Sequence, residues 1–175
     1  MDEHRKPTRR VPISKDLQVQ VFRRDGWLCR WCGRPVIFAP VMKYLEQFVR
    51  QHGINHSLAY HDLRWRRDRA PLLDHLGAVI DHVKPHSRGG TADADNFATS
   101  CNKCNTRKSD AQADDFTKRS PLFRVKGKYG EPRDWDGLAT LFVVLVERDP
   151  SIASSSELAW FRALKGAARY AGRTP

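Results

Sequence analysis

Two Cys-x-x-Cys pairs, Cys29 with Cys32 and Cys101 with Cys104, hold all four cysteines of the chain. Paired thiols at this spacing suit one tetrahedral zinc ion, whose charge makes four neighbouring thiolates tolerable. Such an ion would clip together two segments that lie far apart in sequence, and this constrains the fold more than any other feature. The remaining readings are a pair of disulfides or four unrelated thiols, and a reducing cell interior argues against the first. Gly33, directly after Cys32, fits a tight knuckle that turns two sulfurs onto one ion.

Charge says most about partners. The 175 residues carry 31 Lys and Arg against 20 Asp and Glu, a formal net charge of +11. Basic residues recur along the whole length, the footprint of a polyanion partner. Nucleic acid is the first candidate. An anionic membrane surface is the second, but it would need a basic amphipathic helix with a clean apolar face, which the basic stretch 64–69 lacks. Hydrophobic content of 40% with five tryptophans argues against disorder, and the length suffices for one core with helical extensions. No apolar run is long enough to span a bilayer, and the opening MDEHRKPTRR has no apolar signal-peptide core. A cytoplasmic protein is therefore expected.

Along the chain, residues 1–13 read as a flexible basic arm, either touching DNA or without function. Ser14 caps a helix over 14–24 with Leu17, Val21 and Phe22 on one face, and Asp25 with Gly26 ends it. Pro40 begins a second helix to Gln51, with Val41, Leu45 and Phe48 at helical spacing and Gly53 as its stop. Within the insertion 34–77, Trp65 sits among Arg64, Arg66 and Arg67. That pattern can grip a phosphate backbone and stack on a base, or equally anchor the insertion on the core. His52, His56, His61 and His75 are left outside the site.

A strand over 78–83, a loop through Arg88, Gly89 and Gly90 to Asn96, and a strand over 97–100 follow. A helix from Lys103 then carries Asn105, Arg107, Lys108, Ala111 and Phe116 and ends before Pro121. This ββα unit has little core of its own and would lean on the zinc. Residues 138–146, LATLFVVLV, are apolar all round and read as a buried helix after Asp136. Ser154 and Glu157 form a capping box for a last helix to about Tyr170, with Leu158, Phe161 and Leu164 inward. The helical extension 121–175 either packs on the core or forms a homodimer contact.

Asp81 and His82, Asn96 fourteen residues after that histidine, Asn105 nine further on, and the paired cysteines together resemble the four-cysteine branch of the HNH endonucleases. The stretch V-F-R-R-D-G-x-x-C-x-x-C-G is similar to the N-terminal half of such proteins. The ending N-x-x-K-S-D resembles the HNH domain of RNA-guided DNA-cutting effectors, which lack these cysteines. The likeness covers roughly residues 19–32 and 78–116. It implies an α+β fold, a ββα-metal core with a structural zinc site and surrounding helices, within a nuclease domain spanning 14–120.

The implied activity is metal-dependent hydrolysis of DNA phosphodiester bonds by a bacterial or phage protein. The implied roles are His82 as general base, Asp81 and Asn105 as holders of one Mg²⁺ or Mn²⁺, and Asn96 as the residue orienting the loop and His82. The chemistry agrees, since histidine titrates near neutrality and carboxylate and amide oxygens are hard ligands. Asn105 stands where the family often has histidine, and its oxygen favours Mg²⁺ over softer ions. Adjacent strand residues point to opposite faces, so Asp81 and His82 share one phosphate only if the strand bends or the water sits between them. Taken alone, Asn96 also reads as a turn asparagine, His82 as a strand histidine satisfied by backbone, and His86 as a loop residue. Arg88, Lys103, Arg107 and Lys108 flank the site as candidate phosphate contacts. The competing functions are a non-catalytic zinc-stabilised DNA-binding module and a subunit of a larger phage or defence complex.

Overall fold

Val79, Ile80 and Thr99 favour extended backbone, and their segments pair. Strand β1 (Ala78–His82) runs antiparallel to β2 (Phe97–Cys101), in register from Ala78 opposite Cys101 to His82 opposite Phe97. The computed structural model describes residues 12–54, 71–119 and 135–171. Arg64, Trp65, Arg66 and Arg67, His56 and His61, the first eleven residues of the basic arm and the stretch 120–134 lie outside the described residues.

Two strands leave open edges of unpaired backbone. Helix α1 (Lys15–Arg24) and the turn after it cover the outer edge of β2. Asp25 Oδ2 accepts from the Thr99 amide at 2.7 Å, the Arg30 amide donates to the Thr99 carbonyl at 2.9 Å, and Arg24 Nη2 donates to the Phe97 carbonyl at 2.6 Å. All five residues of β2 are buried as a result. Helix α1 begins as its sequence dictates, with Ser14 Oγ accepting from the Leu17 amide at 3.2 Å. Its buried face is Val19, Val21 and Phe22, with Leu17 only half-buried. The chain leaves α1 through Gly26 at φ 61° and Trp27 at φ 56°. A left-handed tryptophan costs about 1–2 kcal/mol of backbone energy, which burial of its ring between Phe22 (centroids 5.0 Å) and Phe38 (5.8 Å) offsets.

Helix α2 (Ala39–Gln51) starts with Pro40 in its first turn and turns Val41, Met42, Tyr44 and Glu46 inward. Helix α3 (Pro71–Leu76) feeds β1, and Ile37 pairs with Gly77 in a parallel bridge that carries the chain past the knuckle. The single helix expected from Lys103 onward is two. Helix α4 (Asn102–Lys108) ends at Ser109, which has φ 49° and ψ −117°, and α5 (Ala113–Arg119) restarts with Asp114 and Asp115 in its first turn. The break lets the Lys108 side chain turn into the core while Phe116 packs on Trp31.

The C-terminal pair packs on the core. Helix α7 (Ser155–Ala171) lies along α1, where the Arg23 guanidinium donates to the Leu164 carbonyl at 3.2 Å and Trp160 meets Phe38 edge-on at 5.3 Å. The capping box closes as expected, with the Ser154 amide donating to Glu157 Oε2 at 2.8 Å and the Glu157 amide donating to Ser154 Oγ at 3.4 Å. Helix α6 (Ala139–Arg148) corrects an expectation: it is not buried on all sides. It lies on the surface of α2 and α7, with Ala139, Phe142 and Val146 inward, while Leu141 and Val144 are 41% and 45% exposed. The Tyr44 hydroxyl reaches the Leu145 carbonyl at 3.0 Å and the Asp149 carbonyl at 2.7 Å, tying the end of α6 to α2.

Burial pushes the Asp25 carboxyl up, but hydrogen bonds from Arg24 and Thr99 and the guanidinium charge together hold it below the ordinary carboxylate range. A depressed value in the folded state means stabilisation that is present above the ordinary range and lost as pH falls through the lowered value. Asp25→Ala should therefore destabilise the protein by about 1–3 kcal/mol at neutral pH. The gap from wild type should narrow in acid, as read by urea unfolding at a series of pH values.

Candidate active site and metal centre

The two knuckles meet where the topology brings the turn after α1 against the start of α4. Gly33, at φ 71°, lets its amide reach back to the Cys29 carbonyl at 2.8 Å, which closes the first knuckle. Cys101 caps α4, its sulfur accepting from the Cys104 amide at 3.4 Å, which closes the second. All four cysteines are free of disulfides and buried, and their sulfurs lie within 4.8 Å of one another. A tetrahedral zinc with bonds near 2.3 Å separates its sulfurs by about 3.8 Å, and Cys32 and Cys101 stand at 3.9 Å. The cluster thus fits a structural zinc.

Hydrogen bonds from Cys101, Cys104 and Cys32 push the Cys29 thiol far down, while Cys101, Cys29 and Cys32 push Cys104 far up. Cys32 is likewise pushed down and Cys101 pushed up, so ionising all four thiols is opposed. A divalent ion removes that opposition.

Asp81, His82 and Asn105 line a single cleft of about 460 Å³, together with His86, Ser87, Lys108 and Asp110. Asp81 and His82, the last two residues of β1, both contribute to the lining of this cleft. Asp81 is 5% exposed, its Oδ2 accepting from Trp31 Nε1 at 2.8 Å and its Oδ1 lying 3.2 Å from Lys108 Nζ. Burial pushes the Asp81 carboxyl above its ordinary value, and the ammonium and indole oppose the rise without cancelling it. An ionised carboxylate offers about four acceptor positions, of which Trp31 and Lys108 fill two here. His82 is half-buried, with its ring edge-on to Phe97 at 4.9 Å.

The loop joining the strands is closed by Asn96. Its Oδ1 accepts from the Lys84 amide at 2.8 Å, its Nδ2 donates to the Lys84 carbonyl at 3.0 Å and the Thr91 carbonyl at 2.8 Å, and its own carbonyl accepts from the Val83 amide at 2.8 Å. Its side chain does not line the cleft but fixes the backbone two residues after His82. Gly90 is required by the same closure, since a Cβ there would lie 1.9 Å from the Lys84 carbonyl oxygen.

The basic residues separate. Arg88, Lys103 and Arg107 are exposed, and Arg88 Nε donates to the Asp110 carbonyl at 3.0 Å across the cleft mouth. Lys108, expected as an outward phosphate contact, is a correction. It is 1% exposed, and its ammonium donates to the His82 carbonyl at 2.7 Å as well as reaching Asp81. At i+3 from Asn105 on a short helix it shares the inward face. Trp31 and the clamp of Arg24 and Asp25 were not singled out as site residues by sequence. The clue available was their place inside or beside the V-F-R-R-D-G-x-x-C-x-x-C-G stretch.

A structural zinc predicts one zinc per chain by elemental analysis. Cys104→Ser, or chelation, should lower the melting temperature by on the order of 10 °C, which calorimetry of loaded and stripped protein would register.

Comparison with known proteins agrees with this geometry. A scan against family models matches residues 71–111 to HNH endonuclease, the segment running from α3 through β1, the loop, β2 and α4. No curated protein and no solved structure matches the chain. The protein therefore carries the HNH endonuclease signature on an α+β, ββα-metal fold with a four-cysteine cluster fitted to structural zinc.

Proposed function

We propose that this protein is a metal-dependent DNA endonuclease that hydrolyses phosphodiester bonds in the Asp81 cleft. The observation that carries the reading is that Asp81, His82 and Asn105 line one cleft within the HNH match. A binding module has no need of a carboxylate, an imidazole and an amide converging on one space.

In this reading Asp81 and Asn105 would hold one Mg²⁺ or Mn²⁺, which would supply positive charge to the phosphate and the departing oxygen. The His82 imidazole takes a proton from the attacking water, as a base that titrates near working pH does best. Asn96 keeps the loop after His82 from drifting, so the ring keeps its aim. Arg88, Lys103 and Arg107 neutralise neighbouring phosphates, and Arg64, Trp65, Arg66 and Arg67 extend that grip. The excess of basic residues gives double-stranded DNA its long-range attraction, which salt would weaken.

No helix among the described residues is long and apolar enough to cross a membrane, and a cytoplasmic setting is part of the proposal. So is the division into a basic arm, a nuclease domain 14–120 and a helical extension. One centre cuts one strand, so a double-strand break requires two protomers or two binding events.

Supercoiled plasmid should be nicked with Mg²⁺ or Mn²⁺ and left intact with EDTA. His82→Ala should slow nicking by roughly 10²–10⁴-fold with its melting temperature kept. Equal cleavage by the variant would overturn the mechanism. DNA binding without cleavage under any metal would favour the non-catalytic module.

A further inference from the structure

Trp31 lies inside the first knuckle, between Cys29 and Cys32, yet its indole N–H leaves the cysteine cluster and ends on Asp81 Oδ2 at 2.8 Å. Both residues are buried, at 4% and 5% exposure. Lys108 and Asp81 line the cleft and Trp31 does not. The indole therefore reaches the carboxylate from a buried residue that is not part of the cleft lining.

The ring has little freedom. Cluster cysteines hold its backbone on either side, Phe116 meets it edge-on at 5.7 Å and 87°, and the Lys108 ammonium stands 5.3 Å from its centroid. A buried N–H to a carboxylate is a charge-assisted bond, short and directional. It fixes the plane of the carboxylate and occupies one oxygen, while the other accepts from the Lys108 ammonium at 3.2 Å.

We propose that Trp31 is a positioning residue that couples the four-cysteine cluster to the divalent-cation site. It orients the Asp81 carboxylate so that the lone pairs not taken by Trp31 and Lys108 are presented to the cation. The inference rests on the reading of Asp81 as a cation ligand. Groups that orient a ligand from behind change metal affinity by about 10–100-fold when removed. Phenylalanine keeps the ring and deletes only the N–H.

The test uses the full zinc-loaded chain and Mn²⁺ alone, followed by the electron paramagnetic resonance of the free ion. Trp31→Phe should retain one zinc per chain and weaken Mn²⁺ binding by roughly 10–100-fold. Cleavage by the variant should recover as Mn²⁺ is raised, with the rate at saturation kept. Unchanged Mn²⁺ affinity would overturn the coupling. If wild type binds no Mn²⁺, or Asp81→Asn binds it equally, the assignment of Asp81 fails instead, and the coupling with it. Should Trp31→Phe not fold, the wild type decides through its five tryptophan indole N–H resonances. The coupling requires one of them to shift in step with Mg²⁺ binding, and five unmoved resonances beside shifting cleft amides would contradict it.

Discussion

Four sulfurs from two distant segments, gathered within 4.8 Å, are the constraint on which the rest of this structure depends. The ββα unit is small: two five-residue strands and a seven-residue helix cannot bury enough surface to hold themselves. The cluster joins this unit at the start of α4 to the turn after α1. The outer edge of β2 is thereby covered, and Trp31 and Trp27 enter the core with the knuckle. The core continues through Phe38, Tyr44 and Phe142 into the C-terminal helices, so the extension is packed against the same apolar mass as the site.

The buried Asp81 is the costly part of the arrangement. A carboxylate taken from water loses several kcal/mol unless paired, and here Lys108 and Trp31 supply the partners, one at each oxygen. Each comes from an element whose position the cysteine cluster helps to set: Lys108 from the helix that Cys101 caps, Trp31 from the loop between Cys29 and Cys32. Stability and site preorganisation thus share one origin. The Ser109 break belongs to the same design, since it ends α4 where Lys108 turns inward.

Much of this was legible in the sequence where local chemistry decides. Ser14, Gly33, the strands and the capping box at Ser154 act over a few residues, and their signals survive folding. The family resemblance was read from a segment, 78–116, that overlaps the residues the HNH endonuclease model matches. What escaped was set by packing between distant segments. Lys108 reads as a surface cation until α4 is docked on β1. Trp31 gives no sign in the sequence of its bond to Asp81, fifty residues away. Helix α6 reads as buried because its composition is apolar, whereas only one of its faces finds a partner in the described structure.

The most direct test is a crystal of the zinc-loaded protein soaked with Mn²⁺ and a short DNA duplex, with anomalous maps recorded at the zinc and manganese edges. The account predicts a zinc peak among Cys29, Cys32, Cys101 and Cys104 and a manganese peak in the cleft between Asp81 and Asn105, with a phosphate of the duplex beside it. A duplex bound at that cleft with no manganese there, or manganese bound away from Asp81, would contradict it.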